Sequence, residues 1–271
     1  MNKKAIGIFD SGIGGLTCVK QIKRLMPNED IIYFGDTSRV PYGGRSEETI
    51  KKYATQDINF LRSHDIKMII AACGTVSANL PLETINKLDV EFSGVLLPAV
   101  KAACKATTDG RIGVIATPAT IKSGAYGKAI REISPDIQIF GKACPMFVPL
   151  VENGYINKGN PITKAIAKEY LDVIKENKVD TLILGCTHYP VIKDIIAEQM
   201  GDKVTLIDPG LEAARFAKEL FDKKDMRNSV EHRGECSYFV SDDEQNFAFA
   251  AGMYLEEQIE HKVEKIDIES Y

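Results

Sequence analysis

Short apolar, β-branched runs recur along the chain at residues 5–9, 30–35 and 68–72, each closed by small or polar residues before a stretch of helical character. The first leads through Asp10-Ser11-Gly12-Ile13-Gly14-Gly15 into a helix ending near Met26, stopped by Pro27. The second leads through a polar loop, 36–45, into a helix capped near Ser46, with Glu47 and Glu48 complementing its positive end. A short strand is predicted over 93–97, and Pro98 marks a break and possible linker. Beyond it the alternation resumes, with an apolar run at 181–184 ending in Gly185-Cys186-Thr187-His188. A strand at 204–207, a helix from Asp208-Pro209-Gly210 to about Phe221, a strand at 236–240 and a last helix from near Asp242 complete the pattern. Strands alternating with helices predict an α/β fold built on open parallel sheets.

The second half repeats the first. Ile6-Gly7-Ile8-Phe9-Asp10-Ser11 matches Ile112-Gly113-Val114-Ile115-Ala116-Thr117, and the same displacement carries Asp30-Ile31-Ile32-Tyr33-Phe34-Gly35 onto Asp136-Ile137-Gln138-Ile139-Phe140-Gly141. Val40-Pro41 then falls near Val148-Pro149, and Cys73 near Cys186. Four equivalences in one order predict two pseudosymmetric α/β lobes facing a shared cleft. The tail beyond 207 exceeds what the second repeat needs and is expected to return to the first lobe. The division is therefore 1–97 plus 208–271, carrying Cys73, and 98–207, carrying Cys186.

Composition narrows the function classes. At 271 residues the chain is longer than one core usually needs, which suits two lobes. A net charge of -4 and the lack of a long Lys/Arg block argue against a nucleic-acid or membrane-surface footprint. Six cysteines without C-x-x-C or regular short spacing form neither a disulfide framework nor a metal pattern, so the thiols are expected free, in the cytoplasm. Met1-Asn2-Lys3-Lys4 has signal-like charge, but Asp10 interrupts the apolar stretch too early for a signal core, and no run is long enough to span a membrane.

The chemistry is carried by the two cysteines that end matching strands. In open α/β sheets ligands bind beyond the carboxyl ends of the strands, so Cys73 and Cys186 are aimed at one pocket from its two sides. Inverting an amino acid's α-carbon needs removal of a proton from one face and delivery to the other. Two opposed acid/base groups do this, and a thiolate is a workable base when donors or positive charge lower its pKa. Either cysteine alone could be a packing residue; their pairing favours chemistry.

Four blocks then carry a resemblance: Asp10-Ser11-Gly12-Ile13-Gly14-Gly15-Leu16, the stretch Tyr33-Phe34-Gly35-Asp36-Thr37-Ser38-Arg39-Val40-Pro41-Tyr42-Gly43, Ala72-Cys73-Gly74-Thr75, and Leu184-Gly185-Cys186-Thr187-His188-Tyr189-Pro190. Together they resemble the signatures of bacterial glutamate racemase, in the aspartate/glutamate racemase family, over nearly the whole chain. The resemblance implies interconversion of L- and D-glutamate without cofactor or metal, supply of D-glutamate for peptidoglycan, a cleft between two lobes, and a homodimer. It also implies Cys73 and Cys186 as the proton-transfer residues, with Asp10, His188 and Glu152 assisting. Asp10, Ser11, Pro41, Tyr42, Gly43, Gly74, Thr75, Thr117, Thr187 and His188 match positions that hold the substrate's amino and carboxylate groups. One departure stands out: Gly74 replaces an asparagine common in the family.

Other readings are weaker. Gly12-Ile13-Gly14-Gly15 lacks G-x-G-x-x-G because Thr17 occupies the last glycine position, and Asp10 would oppose a phosphate; a tight strand-to-helix turn is expected. Cys186 and His188 lack a second pair for a metal. His64, His232 and His261 read as surface residues, Cys18, Cys104, Cys144 and Cys236 as packing residues, and Asp36 with Arg39 as a loop-stabilising ion pair. Within the isomerases, an aspartate racemase is the alternative. A two-lobed protein that binds a small acidic ligand without chemistry, and a thiol redox protein in which Cys73 and Cys186 bridge, are the alternatives from other classes.

Overall fold

The computed structural model describes residues 4–229, 231, 233–255, 259 and 263–271. Met1, Asn2, Lys3, His232 and His261 lie outside them, so the readings of the amino terminus and of those two histidines have no structural counterpart here. Among the described residues the strands are β1 (Ala5–Asp10), β2 (Ile31–Gly35), β3 (Ile66–Ala71), β4 (Glu91–Gly94), β5 (Arg111–Ala116), β6 (Gln138–Ala143), β7 (Thr181–Leu184), β8 (Thr205–Ile207), β9 (Cys236–Val240) and β10 (Val263–Lys265). They form two sheets, ordered β10-β9-β2-β1-β3-β4 and β6-β5-β7-β8, and every pairing is parallel. Parallel strands need helical crossovers and are buried on both faces, which is why β1, β3 and β7 are buried at every position. Burying chains such as Ile6, Ile8 and Phe9 completely stabilises the fold by about 1.5–3 kcal/mol each.

The repeat is visible in the topology. β2-β1-β3-β4 and β6-β5-β7-β8 run in the same order, with β1 and β5 as counterparts and β3 and β7 each delivering a cysteine just beyond its end. The match is looser in register: Ile6 faces Ile31, whereas Ile112 faces Ile139, two positions further along than the sequence displacement implies. The strand expected at 136–141 accordingly begins at Gln138.

The expected strand at 93–97 and the break at Pro98 are corrected. The strand ends at Gly94, and Leu96–Ala106 is a helix with Pro98 in its first turn. There the missing N–H costs nothing, because the first N–H groups of a helix have no intrahelical partner. The helix Glu47–Arg62 is capped as expected, Ser46 Oγ accepting from the Thr49 N–H at 3.3 Å. Past the second sheet, the helix Pro209–Lys224 is capped by Asp208, and β9 and β10 then extend the first sheet beside β2. β10 has no expectation from the sequence; three residues carry too short a pattern. His64 is corrected too: its ring is half-buried against Phe60 and Phe239, with centroids 4.8 and 5.2 Å away. No helix among the described residues is long and apolar enough to cross a membrane.

Candidate active site

The carboxyl ends of β1, β3, β5 and β7 converge, and each contributes a polar or nucleophilic residue. β1 ends at Asp10, which is fully buried and accepts from the Gly12 N–H at 3.2 Å. Burial pushes its carboxyl pKa up, against the pull of His188 and the N–H groups of Gly15, Gly12 and Ser11. The following turn is as tight as expected. A side chain on Gly15 would meet Asp10 Cβ at 2.5 Å and Tyr33 Oη at 2.9 Å, and one on Gly14 would occupy the space of Thr187 and His188.

β3 delivers Cys73, which is 5 % exposed and occupies the N-cap position of the helix Gly74–Asn79. Its thiol donates to Ser11 Oγ at 3.8 Å. Burial, then the Asp10 carboxylate, push the thiol up to about 12, with the Val76 N–H pulling the other way. Cys73 therefore holds its proton at neutral pH.

β7 delivers Cys186, 9 % exposed. A 3₁₀ turn, Tyr189–Ile192, follows the cysteine loop. His188 Nδ1 lies 3.9 Å from Cys186 Sγ, and His188 Nε2 lies 3.0 Å from Glu152 Oε1 at the end of the helix Phe147–Glu152. Burial alone would lower the imidazole pKa. The hydrogen bonds and charges of Cys186 and Glu152 outweigh it and raise the pKa to about 10, so His188 is an imidazolium at neutral pH. The two thiols thus meet opposite neighbours, a carboxylate at Cys73 and a cation at Cys186.

Hydroxyls tie the two sheets together around them. Thr75 Oγ1, beyond Cys73, lies 3.0 Å from Thr117 Oγ1 at the end of β5, and Thr120 Oγ1 donates to Thr75 at 3.3 Å. Thr187 Oγ1 lies 3.4 Å from Asp10 Oδ1, and Thr17 Oγ1 donates to the Thr187 carbonyl at 3.1 Å. Thr17, Thr120 and Gly14 escaped the sequence reading as site residues. Their only signal was proximity in sequence to Asp10 and Thr117; the contacts they make lie in the opposite half or across a helical turn.

Gly43 packs against Thr117, whose Cβ stands 2.8 Å from where a side chain on Gly43 would begin. The turn Pro41-Tyr42-Gly43 therefore closes one wall, and Val40-Pro41 is a cis peptide. The Tyr42 side chain is engaged elsewhere. Its hydroxyl is buried against Asp36 and Asp57, which leaves the backbone N–H groups at the start of the Tyr42–Gly44 turn as what it can offer the cleft. Asp36 and Arg39 form the expected ion pair, Nε to Oδ2 at 2.6 Å.

Gly74, the departure from the family pattern, has a steric reason. The Gly185 carbonyl oxygen stands where a Cβ on residue 74 would sit, so the strand ends behind the two thiols approach backbone to backbone. All six cysteines are free, and among the described residues no group of three or more His, Cys, Asp or Glu is placed to hold a metal ion.

Comparison with known proteins agrees with this geometry. The family model for Asp/Glu/Hydantoin racemase matches residues 8–217. The glutamate racemase of Thermoanaerobacter pseudethanolicus is 45 % identical over 273 residues, covering 100 % of both chains. Among solved structures, glutamate racemase isoform RacE1 from Bacillus anthracis superposes with a TM-score of 0.94 at 32 % identity, covering 98 % of each chain. The glutamate racemase of Francisella tularensis, solved with D-glutamate, gives a TM-score of 0.92 at 38 % identity over 100 % of both. The paired strand-end thiols, the two-sheet architecture and these full-length matches place the chain in the Asp/Glu/Hydantoin racemase family, as an isomerase of the glutamate racemase group.

Proposed function

We propose that the protein interconverts L- and D-glutamate by a two-base mechanism without a cofactor, supplying D-glutamate for peptidoglycan in the cytoplasm, and that it works as a homodimer. The observation that carries the mechanism is the opposite setting of the two thiols. Cys73 keeps its proton, held by burial and Asp10, while Cys186 faces the His188 imidazolium. In one passage a thiolate at Cys186, accepting from His188 Nδ1–H, takes the α-proton, and the Cys73 thiol delivers its proton to the opposite face. Cys186 then carries the proton and Cys73 the charge, which is the starting point for the reverse passage. Glu152 steadies the imidazolium through Nε2.

The α-carbanion's charge spreads into the substrate carboxylate. Fixed donors already in place stabilise such charge without reorganisation. The hydroxyls of Ser11, Thr75, Thr117 and Thr187 and the N–H groups of Tyr42 and Gly43 would supply them, with Gly74 keeping the cleft floor narrow. Asp10 would face the substrate ammonium. The lobes in this reading keep the sequence division, with the first boundary moved from Pro98 to the start of the helix Leu96–Ala106.

The test is proton NMR of the purified protein in deuterated water with L-glutamate or L-aspartate and no added cofactor. Loss of the α-proton signal with decay of optical rotation for glutamate alone is the expected result. Exchange with aspartate instead would keep the chemistry and move the substrate. Exchange with neither, from folded and reduced protein, would leave a non-catalytic binding role.

A further inference from the structure

Tyr42 lies between two buried carboxylates and has one hydrogen to give. Its hydroxyl packs against Asp36 Oδ2 and lies 3.1 Å from Asp57 Oδ2. Tyr42 is 1 % exposed, and Asp36 and Asp57 are fully buried. Asp36 is well supplied otherwise, accepting from Arg39 Nε at 2.6 Å and from Ser241 Oγ at 2.8 Å. Asp57 Oδ1 accepts from Arg39 Nη2 at 3.2 Å, but among the described residues its Oδ2 meets only the tyrosyl oxygen. The guanidinium is divided further, Nη1 reaching Gln56 at 2.6 Å and Glu269 at 3.2 Å.

One phenol hydrogen cannot serve both carboxylates. The Tyr42 hydrogen goes to Asp36, the closer partner. An ionised Asp57 would then set its own lone pairs against those of the tyrosyl oxygen in a dry site, which is costly. From this count of donors we infer that Asp57 is held protonated near neutral pH, that its Oδ2–H donates to Tyr42 Oη, and that it is a positioning residue for turn 41–43. The hydrogen bonds then run in one direction, from Asp57 to Tyr42 to Asp36, with none left over. The titratable and charged groups that act on Asp57 are Asp36, Arg39, Tyr42 and Asp10, with Glu269 reaching it through Arg39. Burial and Asp36 raise its pKa well above the ordinary range, Arg39 and the Tyr42 hydrogen bond oppose them, and Asp10 adds to the rise. A neutral Asp57 also spares the substrate wall one negative charge.

The positioning role rests on the reading that turn 41–43 lines the glutamate site; the bound proton does not. Infrared difference spectra of wild type against Asp57→Asn test the proton directly. The expected result is a protonated-carboxyl carbonyl band at neutral pH that the variant lacks; its absence from wild type overturns the proposal. For positioning, the asparagine amide can donate to Tyr42 while its oxygen accepts from Arg39. Asp57→Asn should therefore keep kcat and KM within about threefold, whereas Asp57→Ala should raise KM by about tenfold or more with a smaller change in kcat. Asp57→Asn as damaged as Asp57→Ala would show that the charge, not the hydrogen bond, matters, and would overturn the proposal. If Asp57→Ala does not fold, the asparagine variant and the spectra still decide. A carboxyl band combined with an unchanged KM in folded Asp57→Ala would overturn the positioning role and leave the proton. A wild-type protein with no α-proton exchange would fail the racemase reading itself and remove the positioning role with it.

Discussion

The ends of β3 and β7 invite comparison, because the chain builds them alike and then furnishes them differently. Each is the third strand of a run ordered second-first-third-fourth within its sheet, and each hands a cysteine to the cleft. The surroundings diverge where the repeat breaks down. The position matching Asp10 is Ala116, so only the first lobe places a carboxylate at the end of its central strand. The Cys186 loop carries His188, where the Cys73 loop continues as Gly74-Thr75-Val76. Duplicated topology supplies two opposed sulfurs, and unduplicated residues give them opposite neighbours, a carboxylate at Cys73 and an imidazolium at Cys186. A two-base inversion needs both, since two thiols or two thiolates at once could not move a proton through the substrate.

The largest effect should come from removing either sulfur. Cys73→Ala and Cys186→Ala should each lower racemisation by about 10³-fold or more, with the fold intact by circular dichroism, given that a positioned acid or base is worth about 10²–10⁴. The comparison is sharpened by following α-proton exchange in deuterated water separately from each enantiomer. A variant that retains one base can still wash out the α-proton of the enantiomer that base faces. Cys73→Ala and Cys186→Ala should therefore show exchange from opposite enantiomers. Full racemisation by either variant would end the two-base assignment.

Restoring a side chain at residue 74 should come next. In Gly74→Asn the new Cβ must displace the Gly185 carbonyl, and backbone yields less readily than a flexible side chain. Moving one thiol relative to the other by about 1 Å is enough to cost about 10²-fold in rate. A fall of that order with both enantiomers, and a lowered melting temperature, is the expected outcome. A variant with wild-type kcat and melting temperature would mean that the lobes adjust to the asparagine without cost.

How far the site could be read beforehand follows the same division between local and distant. The α/β alternation, the repeat, both cysteines and the Asp10 turn were legible because each is written in a short continuous stretch: an apolar run, then small or polar residues. The two-residue difference in register between the sheets was not, because strand pairing depends on partners some 25 residues apart in each half. Pro98 misled because a proline ends a helix from within yet fits its first turn. The engagement of the Tyr42 hydroxyl was hidden because nothing near it in sequence announces Asp57 as its partner on the following helix. The steric reason for Gly74 lies in the opposite half of the chain, at Gly185. Local chemistry announces itself in sequence, and contacts across the cleft do not.

The smallest effect tests the electrostatic half of the comparison through stability. His188 titrates near 6.5 when unfolded and at about 10 in the fold. A folded-state pKa above the unfolded one means that the native protein binds the proton more tightly. The stabilisation is fully present below pH 6.5 and is lost as pH rises toward 10, at up to about 1.4 kcal/mol per pH unit. Urea denaturation of wild type and His188→Asn across that window reads the His188–Cys186 pair together, because replacing the imidazole also removes the charge beside the thiol. The difference in stability between the two should shrink steadily with rising pH. Glu152→Gln should shorten the same window from its upper end without closing it, since Cys186 still lies against Nδ1 while the carboxylate at Nε2 is gone. A difference that stays constant with pH would mean that His188 is neutral in the fold, and the contrast between the two thiols would then have to rest on Asp10 alone.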